Sequence, residues 1–189
     1  MAIEESKRLV IDASVAHAAG DKEGASINCR DFLMAVRDSC HRLVMTPEIY
    51  DEWQRRNDEK GRKPFRFLLT WLAEMTAREK INVYADIPTY EELWNKIEET
   101  IDINQGVQAA LKDFLLIKAA LGTDKIIVSL DEKARKPFKI AAIQVNELKD
   151  IVWINPDKIE EEKPIEWLEN GAEAESDRLL GTLCDREHL

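Results

Sequence analysis

The sequence predicts an α/β fold, three layers of α/β/α around a central, mainly parallel sheet of four or five strands. Three observations predict it. Short apolar runs recur along the chain: LVI (9–11), RLVM (42–45), INVYA (81–85), IIVSL (126–130) and IVWI (151–154). They are largely continuous rather than alternating, as expected of strands covered on both faces. Helix-like segments lie between them, the alternation that builds parallel sheets. No internal repeat or low-complexity linker divides the chain. Its 189 residues, 44% apolar and 34% charged, fit one globular domain with room for an appendage.

The first run stops on Asp12. An unpaired ionised carboxylate at the depth of a buried strand is costly, so Asp12 must sit at an edge, find a partner or bind a cation. Asn28 or a neighbour opens a helix that runs through Val36. After the second strand, Thr46 and Pro47 form an N-cap and first-turn pair that starts a helix through about Asn57. Phe65, Leu68, Trp71, Leu72 and Met75 recur at spacings of three and four, the stripe of an amphipathic helix. The third strand is followed by helices over Thr89–Thr100 and Gly106–Leu121, the latter closed by Gly122.

Past Pro156 the composition changes to an acidic run, Glu160 to Glu162, then a short amphipathic piece from Ile165 to Leu168, then a polar end. The expected organisation is a body over residues 1–158 and an acidic tail over 159–189 that is partly helical or mobile.

The net charge of −10 at first argues against a nucleic-acid partner, but residues 155–189 carry −7 of it and leave only −3 on the body. Within the body Arg55, Arg56, Lys60, Arg62, Lys63 and Arg66 cluster, as do Lys133, Arg135, Lys136 and Lys139. Each cluster is either a solvated helix face or an electropositive groove. Three cysteines, Cys29, Cys40 and Cys184, show no CxxC or zinc-type spacing, which points to a reduced, cytoplasmic protein. No run reaches the roughly 18 apolar residues of a membrane span, and the N-terminus is acidic, so neither membrane insertion nor export is expected.

In parallel α/β sheets ligands bind beyond the carboxyl ends of the strands, near the point where strand order reverses. Asp12 and Asp131 both lie at such ends, Asp131 two residues past Ser129. Two more acids sit on helices that can bring them in. Glu52 belongs to the helix begun by Thr46, and Asp113 interrupts ALKDFLLIKAAL on the face shared with Leu116 and Ile117. A carboxylate on an apolar helix face is a poor choice for stability. Like charges about 4 Å apart repel by roughly 4 kcal/mol at an effective dielectric near 20, so four convergent carboxylates need a divalent cation to stay ionised. All-oxygen ligands suit magnesium or manganese rather than zinc. Taken singly, each acid has a plainer reading: Asp12 as a turn or cap residue, Glu52 and Asp131 as solvated acids, Asp113 as an exposed acid or a partner for Lys118. Glu48 reads as a first-turn cap, Asp124 and Glu132 as loop acids.

The order VIDASV, TPEIYDEW, KDFLLIKAALG, IIVSLDEKARKPF and IVWINPDKI, over about residues 7–159, resembles the PIN domain, the metal-dependent nuclease fold of many bacterial and archaeal toxin RNases. The resemblance implies a magnesium- or manganese-dependent endoribonuclease with Asp12, Glu52, Asp113 and Asp131 as the acidic quartet. It implies Asp12, Asp113 and Asp131 as main metal ligands, Glu52 as ligand or water-orienting base, and Ser14 and Ser129 in supporting roles. RNA is then the substrate, with Arg55, Arg56, Lys60, Arg62 and Lys63 on its phosphates. A protein antitoxin, a regulatory partner or a second copy of the chain are the partners such a protein invites. Lys133 and Arg135 stand where many members carry a further acid, and Ala13 where a small polar residue often follows the first Asp.

The alternative is a non-catalytic RNA-binding or scaffold module of the same fold, in an RNA-processing or regulatory complex. A phosphatase or phospho-acceptor domain also places an Asp after the first strand, but it wants a second acid where Ala13 and Ser14 stand. No GxxxxGK[ST], GxGxxG or HExxH is present, and His17, His41 and His188 have no evident nucleophile partner. Tyr50 and the five tryptophans read as core or interface anchors, with Trp53 beside the basic cluster as the one candidate for base stacking. For the acidic tail the expectation is either a fold back onto the basic groove or binding of a regulatory partner.

Overall fold

A computed structural model of the chain describes residues 5–20, 25–60, 66–85, 88, 90–101 and 107–182, with backbone alone over 25–26, 55–60 and 107–109. Five parallel strands form one sheet: β1 (Arg8–Ile11), β2 (Arg42–Met45), β3 (Ile81–Val83), β4 (Ile126–Val128) and β5 (Val152–Ile154), in the order β3-β2-β1-β4-β5. Leu9, Val10, Ile11, Ile127, Val128, Trp153 and Ile154 are all fully buried, so the central strands are continuous apolar runs because helices cover both faces.

Eight α-helices lie among the described residues: α1 (Ala13–Ala18), α2 (Ala25–Asp38), α3 (Pro47–Lys60), α4 (Arg66–Ala77), α5 (Glu91–Thr100), α6 (Val107–Leu121), α7 (Glu132–Ala142) and α8 (Pro164–Glu169). From β1 to β3 the chain steps one way across the sheet, and from β3 through β4 to β5 the other way. Right-handed crossovers therefore put α1–α4 on one face and α5–α7 on the other. The packing agrees: α1 meets α2 and α3, α2 meets α4, and both α5 and α6 meet α7. No described helix is long and apolar enough to cross a membrane.

The helix starts follow from local chemistry. Thr46 Oγ1 accepts from the Ile49 amide at 3.2 Å, the N-cap bond, and Glu48 adds its carboxylate beside Thr46 and its own backbone amide, which holds its pKa below the usual value. Of the stripe read as amphipathic, Leu68, Trp71 and Met75 are buried in α4, while Phe65 lies outside the described residues. The end of α2 is closed from a distance: the buried Lys80 ammonium donates to the carbonyls of Val36, Arg37 and Ser39 at 2.6–2.7 Å, a positive group where the helix dipole is negative. At the sheet's amino edge, Arg8 grips Asp124 through its backbone amide, Nε and Nη2, at 2.5–3.0 Å. Asp124 is thus a clasp between β1 and the turn before β4.

Beyond β5 the chain stays against the body. Trp167, Leu168, Ala172 and Leu180 are buried, and α8 packs on α2. The Leu168 carbonyl meets His41 Nε2 at 2.9 Å, while His41 Nδ1 accepts from the Lys7 amide at 3.1 Å. The ring therefore carries its proton on Nε2. Further on, Leu179 bridges Val152 in antiparallel fashion, and the Leu180 amide donates to the Ile151 carbonyl at 2.9 Å. Residues 163–182 thus lie against α2, His41 and the start of β5. Contact with Arg55, Arg56, Lys60, Arg62 and Lys63 falls outside the described side chains.

Candidate active site

The direction of crossover reverses between β1 and β4, so the crevice at their carboxyl ends is the switch point of the sheet. Asp12 extends the ladder by one bond, its amide donating to the Val128 carbonyl at 2.9 Å. It occupies the N-cap position of α1 without capping it. The residue is only 6% exposed and its side chain is committed elsewhere: Oδ2 accepts from Ser129 Oγ at 2.8 Å and from Ser14 Oγ.

Both serines are themselves held. Ser129 Oγ accepts from the Asp131 amide at 3.0 Å and Ser14 Oγ from the Leu130 amide at 3.2 Å. Each hydroxyl proton is therefore directed at Asp12, and the carboxylate is fixed between the ends of two strands. One oxygen, Oδ1, remains without a hydrogen-bond partner among the described residues.

Asp131 repeats the pattern. As N-cap of α7 it spends Oδ1 on the amides of Lys133 and Ala134, at 2.9 and 3.0 Å, and leaves Oδ2 available. Reading Asp131 as a cap and reading it as a ligand are thus compatible, because the two uses take different oxygens.

Asp113, on α6, lies within electrostatic reach of both Asp12 and Asp131. It is half-buried, flanked on its helix by buried Phe114, Leu116 and Ile117, and has no hydrogen-bond or ion-pair partner among the described residues. Burial pushes its carboxyl up to about 7, and the neighbouring charges of Asp12, Asp131 and Glu52 push in the same direction, with Lys112 pulling the other way. Lys118 bears instead on Glu48.

Glu52, half-buried on α3, owes its place to the next residue. Trp53 is 3% exposed, donates its indole N–H to the Ile11 carbonyl at 3.1 Å and lies against Trp71 with ring centroids 6.3 Å apart. His17 of α1 meets the Trp53 carbonyl at 3.0 Å through Nε2. Trp53 is therefore a core anchor rather than a base-stacking platform, and Tyr50, half-exposed, is not part of that core.

Of the four acids named from the sequence, Asp12 and Asp131 thus stand past the ends of the neighbouring strands β1 and β4, and Asp113 feels the charge of both and of Glu52. Among the described residues no three His, Cys, Asp or Glu side chains are placed closely enough to hold a metal ion directly. The donor set is all oxygen, with one free oxygen each on Asp12 and Asp131, which fits a hard divalent ion that keeps much of its water. Of the cationic side chains predicted to meet RNA, Arg55, Arg56, Lys60, Arg62 and Lys63 lie outside the described side chains. Lys133 is exposed beside Asp131, and Lys112 is exposed beside Asp113.

One set of residues was not legible as part of this region. Glu132 accepts from Asn155 Nδ2 at 2.9 Å and Lys158 Nζ at 3.0 Å, and Glu162 takes Arg135 Nη1 at 2.6 Å. The available signal was the Glu132–Arg135 spacing of three on one helix face. The partners contributed from 155–162 have no local signature.

No family model matches the chain, and no curated protein matches it.

Proposed function

We propose that this protein is a divalent-metal-dependent endoribonuclease of the PIN-domain type, using magnesium or manganese in the crevice of Asp12, Glu52, Asp113 and Asp131. The observation that carries the reading is Asp113: a carboxyl on an apolar helix face, unpartnered among the described residues, held near neutrality by burial and three other acids. A fold gains nothing from that arrangement, whereas a cation relieves it.

In this reading Asp12 and Asp131 offer Oδ1 and Oδ2 respectively, Asp113 completes the ligand set, and Glu52 is a further ligand or the base that orients water. A bound ion supplies water activation and charge stabilisation at the phosphate. Ser14 and Ser129 keep the Asp12 carboxylate from turning, so its free oxygen is presented in one direction. Lys112 and Lys133, exposed at the rim, and the cluster from Arg55 to Lys63 supply positive charge for the RNA backbone. A cytoplasmic location and a protein antitoxin or regulatory partner belong to the same proposal.

The test is cleavage of a labelled RNA with manganese, with EDTA, and by Asp12→Asn. Loss of cleavage in both latter cases supports the reading, and equal cleavage by parent and variant removes it. A second reading is a non-catalytic RNA-binding or scaffold module of the same fold. RNA binding without cleavage in any divalent metal would select it.

A further inference from the structure

The C-terminal segment is tied to the residues that carry Asp131. Glu162 spans two elements with one carboxylate: Oε1 accepts from Arg135 Nη1 at 2.6 Å and Oε2 from the Asn155 amide at 2.8 Å. Arg135 lies one turn into α7, its amide bonded to the Asp131 carbonyl at 3.0 Å, and its side chain is 7% exposed. Asn155 in turn donates to Glu132, the residue after Asp131, whose second oxygen takes Lys158 Nζ at 3.0 Å. Glu162 is itself held from behind, since its carbonyl accepts from Arg178 Nη1 at 2.5 Å.

For stability alone this is a weak solution. A buried ion pair repays its desolvation only when every donor is satisfied, and Arg135 Nε is buried with no hydrogen-bond partner among the described residues. What the pair does achieve is geometric: the first turn of α7 cannot rotate without breaking bonds to both the β5 exit and the C-terminal segment.

We propose that Glu162 is a positioning residue, acting through Arg135 and Asn155 to aim the free oxygen of Asp131 into the crevice, so that the C-terminal segment sets the affinity of the site for a divalent cation. This rests on the metal-site reading above.

The test is manganese titration of the full-length protein by calorimetry and by the electron paramagnetic resonance of free manganese, with circular dichroism as the check on fold. Glu162→Gln is expected to bind manganese about 10- to 100-fold more weakly than the parent. Glu74→Gln, which removes an ion pair between α4 and α2 and touches neither α7 nor Arg178, is expected to bind as the parent does. If Glu162→Gln does not fold, the double variant Arg135→Met/Glu162→Met decides, because it removes both charges and keeps the bulk. A folded double variant with weakened binding supports the proposal. Parental affinity in a folded variant overturns it, as does failure of both variants to fold, which assigns the pair to stability. If the parent protein takes up no manganese, the metal-site reading falls and this proposal with it; parent-like binding by folded Glu162→Gln removes this proposal alone.

Discussion

Trp53 gives its indole proton to the carbonyl of Ile11, at 3.1 Å. One residue before the donor stands Glu52, and one residue after the acceptor stands Asp12. This single bond therefore fixes the spacing between two acids contributed by elements 40 residues apart in the chain. Trp53→Phe keeps an aromatic ring in the core but removes the donor. It is expected to lower unfolding stability by about 1–3 kcal/mol in urea titrations, and to weaken manganese binding more than a core substitution of equal cost such as Met75→Leu.

Asp113 makes the stability of the metal-free protein depend on pH. Its carboxyl ionises near 3.8 when unfolded and near 7 in the fold. Below the lower value both states hold the proton and there is no penalty. As pH rises toward 7, unfolding releases the proton and becomes progressively easier; above 7 the loss is complete. In EDTA, Asp113→Asn should gain about 2–3 kcal/mol on the parent between pH 5 and pH 8, measured by denaturant unfolding at both values. Saturating manganese should reverse the order at pH 8, because the parent then gains binding energy that the amide lacks.

Ser129 serves two partners with one hydroxyl, donating to Asp12 and accepting from the Asp131 amide. Ser129→Ala leaves a buried carboxylate oxygen and a backbone N–H short of a partner each. The expected cost is about 1–3 kcal/mol in thermal or urea unfolding. Ser129→Cys, nearly isosteric and a weaker donor, should fall between the two.

Gly181 seats the C-terminal segment. A Cβ there would stand 2.8 Å from Lys149 Cα, with the Gly181 amide bonded to the Lys149 carbonyl at 3.1 Å. Gly181→Ala is expected to destabilise by about 1–3 kcal/mol and to increase hydrogen exchange at the amides of residues 179–182, which mass spectrometry of peptic fragments would read.

How much of this was legible follows from where the signals reside. The strands announced themselves because burial on both faces leaves an unbroken apolar run, as in Leu9–Ile11 and Ile126–Val128. Helix α4 showed through Leu68, Trp71 and Met75, which repeat at the helical period. By contrast α1 has only six residues, too few to display a period, and α7 carries Pro137 in its interior among four basic residues, so its buried face of Ala134, Phe138 and Ala141 was masked. Strand order is a property of crossovers and has no local trace.

The acids divide in the same way. Asp12 was conspicuous because a charge ends an apolar strand, and Asp113 because it breaks an apolar helix face. Asp124 and Glu162 looked like ordinary surface acids because the residues that bury them, Arg8 and Arg135, are 116 and 27 positions away. A partner at that distance leaves no pattern in the sequence to read.

The antiparallel bridge from Leu179 to Val152 has a bearing on solubility. A sheet ends in two borders whose unpaired amides and carbonyls invite other chains, and here the β5 border already carries a bridge from Leu179. Proteolytic clipping ahead of Leu179 would remove that bridge from β5, so self-association of the clipped form would be a consequence of lost cover rather than of unfolding.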